Sequence, residues 1–416
     1  MLDFQFIRDN AEAVQKNADQ RSANADVQNL LALDVEHRGL IKSLEEKQGQ
    51  ANTASKTKPD QTQLEALKEL RKRIKDEERQ VAAVASKLAM ELDKLPNMAM
   101  ADVPMGGAEL NKVIKQVGKP RQDGVEHWQI PGVEKLIDVE SASKISGSRF
   151  AYIVGDLAKV YYALMRYSQD VALKHGFVPH VPPVMVKRDA MYGSGFFPTN
   201  ESESYQVNAE DESLYLIGTS ESVLVSRFAD SLIDVTKPLR LTATTTCFRR
   251  EAGSYGKDTK GLFRLHQFDK IEMVTLCRSE DSLVEHQLML AIEEEVLSSL
   301  GLSYQVVLLA AGDSAIQSAK TYDCEAWFAG QKKYRELTST SNCTDFQARR
   351  LKIRYKNESG LPAGKQGTAY VHTLNGTVCS MGRPLACIME NYQTTSGFNV
   401  PEVLQPYCGL KEVRGA

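Results

Sequence analysis

The chain has 416 residues, of which 42% are hydrophobic and 25% are charged, and its formal net charge is −3. This length and composition fit two or three globular domains, and the near-neutral charge argues against a general polyanion binder. No run of 18 apolar residues occurs, so we expect no membrane span.

The cysteines and the first residues indicate the compartment. The seven cysteines are scattered, and none forms a C-x-x-C pair. This pattern predicts reduced thiols in the cytoplasm and argues against a disulfide framework or a zinc site. The start, MLDFQFIRDNAEAV, contains acids and no apolar stretch, so we expect no signal or transit peptide.

Residues 27–95 carry two runs of heptad spacing. In the second run, apolar residues recur every seven positions, with two more at a spacing of three: Leu67, Leu70, Ile74, Val81, Val84, Leu88 and Leu95. The first run keeps the same register: Leu30, Leu33, His37, Leu40, Leu44 and Ala51. Two such seams around the polar segment 52–63 predict an antiparallel coiled-coil hairpin. Its second helix, about 34 residues long, would extend about 50 Å.

Charge alone does not assign a role to this hairpin, which also suits a dimerisation coil or a spacer. Basic residues lie at its tip and on its second helix: Lys56, Lys58, Lys68, Arg71, Lys72, Arg73 and Lys75. Acids nearby keep the local net charge low: Asp60, Glu65, Glu69 and Asp76. The hairpin is therefore not a general polyanion binder.

A stop at Leu95-Pro96-Asn97 and a linker through Gly107 predict two domains, 1–108 and 109–416. We expect strands to begin after about residue 125. In chain order, the pattern then predicts helix 152–175, strands 241–250 and 263–277, and helices 281–300, 312–320 and 383–393. Consecutive strands with few crossovers favour an α+β fold whose antiparallel sheet is flanked by helices.

The strands 241–250 and 263–277 mix charged and aromatic residues. Because strand side chains alternate between faces, Arg249 and Glu251 are predicted to share a face. The return strand should add four residues to it: Arg264, His266, Phe268 and Glu272. Arginines suit phosphates and a ring suits a base, although an exposed, salt-bridged hairpin gives the same pattern. No P-loop or strand-linked G-x-G-x-x-G occurs, so side chains would have to bind any phosphates.

A second basic segment lies further along the chain. Residues 331–356 hold eight Lys or Arg against two acids, Glu336 and Asp345. Such a segment could face phosphates, or it could be a solvated surface. Charge alone leaves both interpretations open.

Five segments, in order, resemble the motifs of seryl-tRNA synthetases, which are class II aminoacyl-tRNA synthetases. They are FVPHVPPVMVKRDAMYGSGFFP (motif 1, with Pro183), Gly218-Thr219-Ser220-Glu221, FRREAGSYGKDTKGLFRLHQFDKIE (motif 2), YRELTSTSNCTDFQARRLKIRY, and GRPLACIMENYQTTSGFNVPEVLQPY (motif 3). The N-terminal hairpin resembles the family's tRNA-binding arm, so the resemblance covers essentially the whole chain. The class I signatures HIGH and KMSKS are absent.

The resemblance implies how ATP would be bound. Arg249 would bridge the α-phosphate and the serine carboxylate, Glu251 would contact the adenine amino group, and Phe268 would stack on the adenine. Arg383 would hold the γ-phosphate region, so that Arg249, Glu251 and Arg383 form the implied catalytic set. Glu336 and Ser339 would ligate Mg²⁺, a cation that prefers oxygen ligands. Further ATP contacts are implied at Arg250, Arg264, Leu265, Leu337 and Thr338.

The resemblance also implies a serine pocket: Thr219, Ser220, Glu221, Arg249, Glu272, Asn375 and Thr377. Glu272 would accept a hydrogen bond from the substrate hydroxyl. Alanine or glycine would leave that buried carboxylate unpaired, and such a site can reject them by ~10⁴ or more, whereas threonine must be excluded by shape. Thr377 stands where many bacterial members have serine and the eukaryotic type has threonine, and either hydroxyl can serve.

The implied activity is that of a serine–tRNA ligase. Such an enzyme makes seryl-adenylate from L-serine and ATP and transfers serine to the 3′ end of tRNA(Ser), and to tRNA(Sec) where present. A homodimer through motif 1 and an arm that grips the long variable arm of tRNA are further implications. The motifs mix bacterial-like and eukaryotic-like forms and leave the source open, and no Cys and His ligand set supports the zinc-dependent archaeal subtype.

Two other functions compete with this interpretation. A paralogue that activates an amino acid but loads a carrier protein would lack the long hairpin. A non-catalytic coiled-coil adaptor should have lost Arg249, Glu251, Glu336 or Arg383, and all four are present.

Overall fold

The computed structural model describes residues 1–55, 61–208, 210, 213–252, 260–357 and 367–415. By its contacts the chain divides into two compact units, Met1–Met98 and Ala99–Ala416. The linker residue Met100 pairs with the second unit, since its N–H donates to the Ala319 carbonyl at 2.9 Å. The functional domain division after residue 108 stays a prediction.

The first unit is helical: α1 (Phe4–Asp9), α2 (Ala11–Gln20), α3 (Val27–Ala54) and α4 (Gln61–Asp93). The carboxylate of Asp26 caps α3 by accepting the Asn29 N–H at 2.9 Å. The length of α4, 33 residues, agrees with the sequence prediction. The tip residues Lys56, Lys58 and Asp60 lie outside the described residues.

The long helices α3 and α4 run antiparallel, which confirms the predicted hairpin. Leu30 of α3 shares a buried cluster with Leu88 and Leu92 of α4, and that cluster also holds apolar residues of α1 and α2. Further out, Lys47 Nζ lies 2.8 Å from Glu77 Oε2. The short helices therefore cover the base of the hairpin, and apolar residues stay buried further out as well, namely Ala51, Leu67 and Val84.

The second unit contains helices α5 (Val139–Ser146), α6 (Gly155–Lys174), α7 (Arg188–Gly193), α8 (Glu221–Ser226), α9 (Ser282–Ser299), α10 (Phe346–Leu351), α11 (Gly382–Tyr392) and α12 (Gln405–Cys408). Its first strands are β1 (Lys112–Val117), β2 (Ile137–Asp138), β3 (Tyr152–Ile153), β4 (Val178–His180), β5 (Met185–Lys187), β6 (Gln206–Val207), β7 (Leu214–Leu216), β8 (Leu239–Phe248) and β9 (Gln267–Cys277). The later strands are β10 (Tyr304–Leu308), β11 (Lys320–Phe328), β12 (Lys333–Asn342), β13 (Arg354–Asn357), β14 (Gly367–Tyr370), β15 (His372–Ser380), β16 (Gln393–Thr394), β17 (Gly397–Asn399) and β18 (Glu412–Arg414).

An eight-stranded sheet in the order β1-β10-β11-β12-β15-β9-β8-β4 forms the centre of this unit. Its pairs are antiparallel except β4–β8, which is parallel. Side chains of α6, α9 and α11 share one large buried cluster with the central strands. The α+β fold with a helix-flanked antiparallel sheet, predicted from sequence, is confirmed.

Two β-bulges change which side chains share a face of the sheet. In β12, Thr338 and Glu336 pair with consecutive residues of β11, so Leu337 is an extra residue. In β15, Val378 is extra in the same way. Because a bulge adds one residue to a strand, positions three apart can then share a face.

Several sequence-based boundaries were wrong. Residues 312–320 form turns and the start of β11, and no helix. The hydroxyl of Ser314 donates to the Ala310 carbonyl, and Ser318 Oγ lies 2.7 Å from Thr321 Oγ1; serines that bond locally in this way favour turns over helix. Strands begin at Lys112, before the expected residue 125, and β9 starts only at Gln267.

Two further features concern the hydrophobicity of the helices and the state of the cysteines. Within the described residues, none of the helices combines the length and the hydrophobicity that crossing a bilayer requires. None of the seven cysteines, all of which lie within the described residues, forms a disulfide.

Candidate active site

Two adjoining cavities open on the face of the central sheet opposite α9. The larger has a volume of about 560 Å³. The residues that line both cavities are Arg249, Glu251, Arg264, Lys270, Glu336, Thr377 and Arg383. The face is defined by β15, where an added Cβ at Gly376 would lie 3.0 Å from Glu293 Oε1 of α9, while the flanking residues Asn375 and Thr377 line the larger cavity.

Most of the predicted site residues line these cavities. The larger is lined by Thr219, Glu221, Glu272, Ser339 and Asn375, and the smaller by Leu265, Phe268, Leu337 and Thr338. Two predicted contacts do not line either cavity. Ser220 is fully buried, and Arg250 is exposed, with its N–H donated to the Glu203 carbonyl at 2.8 Å.

The arginine predicted to bridge the two substrates lies at the end of β8. Arg249 Nε donates to the Gly218 carbonyl at 3.2 Å, and its guanidinium carbon lies 5.5 Å from the centre of the Phe268 ring. The segment before α8, which carries the predicted serine contacts, is thus held against the end of β8. Arg249 therefore contacts both the segment with the predicted serine contacts, at Gly218, and the predicted adenine-stacking residue, Phe268.

Glu251 and Arg264 were predicted to share a face because strand side chains alternate, but Glu251 lies outside the strand. The strand β8 ends at Phe248, and Glu251 has a left-handed backbone with φ 53°. The two side chains nevertheless form an ion pair. His266, predicted on the same face, lines neither cavity and contacts the Arg249 carbonyl through Nδ1 at 2.9 Å.

Opposite charges face each other throughout the cavities. Besides Arg264 and Glu251, Arg383 Nη1 lies 3.0 Å from Glu336 Oε2, and Lys270 Nζ lies 2.5 Å from Glu272 Oε2. Fixed charges that are already oriented can stabilise a polyanion and its developing charge without costly reorganisation. The arrangement suits a substrate with both phosphate and cationic groups.

Lys270 is a site residue that the sequence prediction missed. Its side chain is buried, pairs with Glu272, and lies 3.4 Å from Thr377 Oγ1. Thr377 is also the cross-strand partner of Glu272, and its hydroxyl donates to Glu272 Oε2 at 3.3 Å. The signal was available, because the alternation that placed 268 and 272 on one face also places 270 there.

Two carboxyl groups on this face are almost fully buried. Burial, reinforced by the nearby Glu272, raises the pKa of Glu221 to about 7. Burial also raises the pKa of Glu272, and the ammonium of Lys270 opposes that rise. The pair is therefore prepared to bind a cationic or hydroxyl-bearing ligand, since each carboxylate gains from an added donor.

The predicted Mg²⁺ ligands share the cavity face because of the bulge at Leu337. Glu336 and Ser339 are three residues apart, a spacing that a regular strand would place on opposite faces. Among the described residues, no group of three His, Cys, Asp or Glu is arranged to hold a metal ion. A carboxylate with one hydroxyl fits Mg²⁺ shared with phosphate oxygens and water, which needs only one or two carboxylates.

Of the eight basic side chains in segment 331–356, three are half-buried and make contacts within the fold, and the other five are exposed. Arg349 pairs with Asp345 at 2.8 Å, and Arg350 donates to the carbonyls of Tyr192 and Phe197. Arg335 lies 3.7 Å from the centre of the Phe263 ring. The interpretation of this segment as a phosphate-binding face gains no support from these contacts.

A buried histidine, which no sequence pattern indicated, holds the segment that leads into β9. His127 Nε2 accepts the Leu262 N–H at 2.9 Å, while Nδ1 faces Glu390 of α11 at 3.1 Å. Gly261 packs against the same ring: an added Cβ would lie 2.0 Å from His127 Nε2. The segment before Arg264 is thus tied to α11, the helix that carries Arg383.

Two family models match the chain. The model of the seryl-tRNA synthetase N-terminal domain matches residues 1–99. The model of the tRNA synthetase class II core domain (G, H, P, S and T) matches residues 205–392. The matched ranges include the hairpin and nearly all of the cavity-lining residues.

Full-length relatives are similar in sequence. The serine–tRNA ligase of Leifsonia xyli subsp. xyli is 40% identical over 424 residues, covering 99% of each chain. That of Sinorhizobium fredii is 38% identical over 434 residues and covers all of both chains.

Solved structures are similar along the whole chain as well. Seryl-tRNA synthetase from Pyrococcus horikoshii, solved in complex with ATP, has a TM-score of 0.89 and 34% identity, with full coverage of both chains. Cytoplasmic serine–tRNA ligase from Naegleria fowleri, solved with AMP, has a TM-score of 0.85 and 31% identity, covering 100% of this chain and 99% of the other.

Proposed function

This chain belongs to the seryl-tRNA synthetase family of class II ligases, and we propose that it forms seryl-adenylate from L-serine and ATP and then transfers serine to tRNA(Ser). One observation carries the proposal. The fold brings Arg249 and Glu272, from the two ends of one sequence segment, together with Arg383, from a segment more than 100 residues later, to the two adjoining cavities. These side chains supply the phosphate and serine contacts that the reaction needs.

In the first step, a serine carboxylate oxygen attacks the α-phosphorus of ATP, and pyrophosphate leaves. The planar fork of Arg249 can hold the carboxylate and the α-phosphate together, which a lysine cannot do. Phe268 offers a ring for the adenine, and Glu251 an acceptor for its amino group. Arg264 and Arg383 would hold the remaining phosphates and exchange their present carboxylate partners for phosphate oxygens.

The metal part of the proposal concerns Glu336 and Ser339. These two would hold Mg²⁺ beside the phosphates. Asp323 of β11 is the cross-strand partner of Ser339. Burial, together with the Glu336 charge, raises the pKa of Asp323 well above its usual range. Bound Mg²⁺ would supply positive charge to the phosphates.

Serine would lie between Thr219, Glu221, Glu272 and Thr377. The carboxylate of Glu221 suits the substrate ammonium, and Glu272 suits the hydroxyl. Since Glu272 is only 1% exposed, a substrate without a hydroxyl would leave it short of a donor.

In the second step, a hydroxyl of the terminal tRNA ribose attacks the acyl carbon of seryl-adenylate, and AMP leaves. We assign the tRNA contact to the hairpin of α3 and α4, because its length and mixed surface charge suit RNA shape better than a broad polyanion surface. The same reasoning extends to tRNA(Sec) where that tRNA is present. The unpaired cysteines suit a reducing compartment, in keeping with the cytoplasm.

A homodimer through motif 1 is part of the proposal. Three apolar side chains in that segment, Val178, Val181 and Met185, are 57%, 101% and 47% exposed. A group of exposed apolar side chains is typical of an interaction surface. A two-fold interface would cover them. Light scattering at micromolar concentration should give the mass of two chains, and a fully active monomer would contradict this part.

The decisive experiment is ATP–pyrophosphate exchange with each of the twenty amino acids. Serine should drive exchange that requires Mg²⁺, and alanine, glycine and threonine should be at least about a thousandfold weaker in kcat/KM. Equal exchange with threonine or alanine would overturn the serine assignment. Exchange followed by loading of a carrier protein and not tRNA would favour the paralogue.

A further inference from the structure

A buried glutamine lies directly behind one of the proposed serine contacts. Gln347 of α10 is 1% exposed and is not among the residues that line the cavities. Its Nε2 donates to Glu221 Oε1 at 2.6 Å and to the Ser194 carbonyl at 2.7 Å. Its Oε1 accepts the hydroxyl of Thr373 at 2.7 Å.

These three bonds fix the orientation of the amide. The Ser194 carbonyl and the ionised Glu221 carboxylate can only accept. The Thr373 hydroxyl can donate or accept, and it donates here to Gln347 Oε1. The amide must therefore present its NH₂ to Ser194, and the same NH₂ reaches Glu221. A flipped amide would place Oε1 against a carbonyl and a carboxylate, which is repulsive.

The elements that meet at Gln347 carry both sides of the serine pocket. Thr373 belongs to β15, the strand that also carries Asn375 and Thr377. Its backbone is fixed to the turn before α10, because Thr373 N–H donates to the Thr344 carbonyl at 2.9 Å. Gln347 thus links the strand that carries Thr377 to the helix that begins with Glu221.

We infer that Gln347 is a positioning residue for the serine site, which holds the Glu221 carboxylate ionised and aimed at the substrate ammonium. This inference rests on the proposed activation of serine. Gln347 touches no substrate in it and acts through Glu221.

The charges around Glu221 show why a donor is needed there. Glu221 faces Glu272 on β9, which disfavours ionisation, and Lys270 and Arg249, which favour it. The amide of Gln347 stabilises the charged form, while burial raises the pKa of Glu221 to about 7. Without this amide the pKa would rise further, because the ionised carboxylate would lose a donor and the neutral acid would not.

The test is the variant Gln347→Met in the full-length chain, assayed by serine-dependent ATP–pyrophosphate exchange. Methionine keeps the volume and removes all three hydrogen bonds. At about pH 8 the KM for serine should rise about tenfold to a hundredfold, which corresponds to losing one hydrogen bond to a charged group. The KM for ATP should stay within about twofold of the parental value, because the nucleotide contacts lie elsewhere.

The pH profile separates positioning from a general structural role. In the parental chain, KM for serine should rise as pH falls through the region where Glu221 becomes protonated, about pH 7. In Gln347→Met, that rise should begin at a higher pH. A control is Asn391→Ala, which removes bonds to the Trp327 and Cys387 carbonyls and should leave the profile unchanged.

Two further variants make every outcome decisive. Thr373→Val removes only the bond to Gln347 Oε1 and should raise KM for serine about twofold to tenfold; it decides the question if Gln347→Met fails to fold. Glu221→Gln tests the proposed function itself. In the double variant, Gln347→Met should add little to the loss already caused by Glu221→Gln, because Gln347 acts through Glu221.

The results distinguish the two claims. A parental KM for serine and an unshifted profile in Gln347→Met, or in Thr373→Val if that variant is the one that folds, would overturn the positioning role. If Glu221→Gln also left KM for serine unchanged, the serine-site assignment would fail with it. Additive losses in the double variant would show that Gln347 acts by another route and would likewise overturn the inference.

Discussion

The charged residues of the helical hairpin and those of the cavity face differ in their surroundings. On α4, Arg73 and Glu69 form an ion pair at 3.5 Å with both side chains more than half exposed. On β9, Lys270 and Glu272 pair at 2.5 Å with side chains 7% and 1% exposed. Exposed pairs contribute little free energy, whereas the loss of one partner from a buried pair is costly.

This difference in burial predicts in which region a single substitution should reduce activity. The hairpin presents many interchangeable charges along its surface, so its binding would be spread over several weak contacts. On the cavity face, Arg264, Lys270 and Arg383 each form an ion pair with a specific carboxylate. We therefore expect the adenylate step to be sensitive to single atoms, and the tRNA step to depend on the presence of the hairpin as a whole.

The largest effect should come from changing the same residue type in the two regions. Arg249→Lys removes the planar fork proposed to hold the two reacting groups, and exchange should fall about a hundredfold to a thousandfold in kcat. Arg73→Lys on α4 is the matched control and should leave exchange unchanged. Steady-state pyrophosphate exchange measures both variants. Parental rates in both would contradict the predicted difference between the cavity face and the hairpin.

A smaller effect is expected from Glu272→Gln. The amide keeps the volume and can still accept from the buried Lys270, so the fold should persist, but the hydroxyl of serine would lose a charged acceptor. We expect kcat/KM for serine to fall about tenfold to a hundredfold and the preference over alanine to shrink. Glu272→Ala is a poorer choice, because it would leave a buried ammonium unpaired and destabilise the fold.

The measurement for this variant is the ratio of kcat/KM for serine to that for alanine, with thermal unfolding as the check on folding. A well-folded Glu272→Gln with unchanged selectivity would show that the carboxylate does not read the hydroxyl.

How far the sequence could be interpreted depended on how regular each element is. The heptads of α3 and α4 and the strands β8 and β9 follow simple periods, so their positions and the antiparallel sheet could be predicted. The helix expected at 312–320 could not be excluded in advance. Its serines bond locally once the segment packs beside the sheet, and Gln317 then lines the larger cavity.

The site was harder to predict than the fold. Glu336 and Ser339 share a face only because Leu337 bulges, and periodicity alone would separate them. Glu251 reaches Arg264 from a left-handed turn outside the strand. Gln347 and His127 are single polar residues that contact Glu221 and Leu262, each more than 100 positions away, and no local pattern reports such contacts.

A deletion that tests the hairpin has to keep the base of the first unit, which a splice from residue 27 to residue 95 would not do. That splice would remove Leu30, Leu88 and Leu92, which form the base of the first unit with α1 and α2. The register set by Lys47 and Glu77 places residue 41 near residue 83 on the partner helix. Removing 41–83 and closing the gap with a short glycine-containing linker would keep the base intact.

We propose that the cavity face performs serine activation and that the hairpin serves only the transfer to tRNA. The most direct measurement compares the two steps in the 41–83 deletion variant, with pyrophosphate exchange for the first and serine attachment to tRNA(Ser) for the second. Exchange should stay within about twofold of the parental rate, while tRNA charging should fall at least about a hundredfold in kcat/KM, since the phosphate and shape contacts of the hairpin are lost. Parental charging by the deletion variant would contradict the account and leave the hairpin as a spacer.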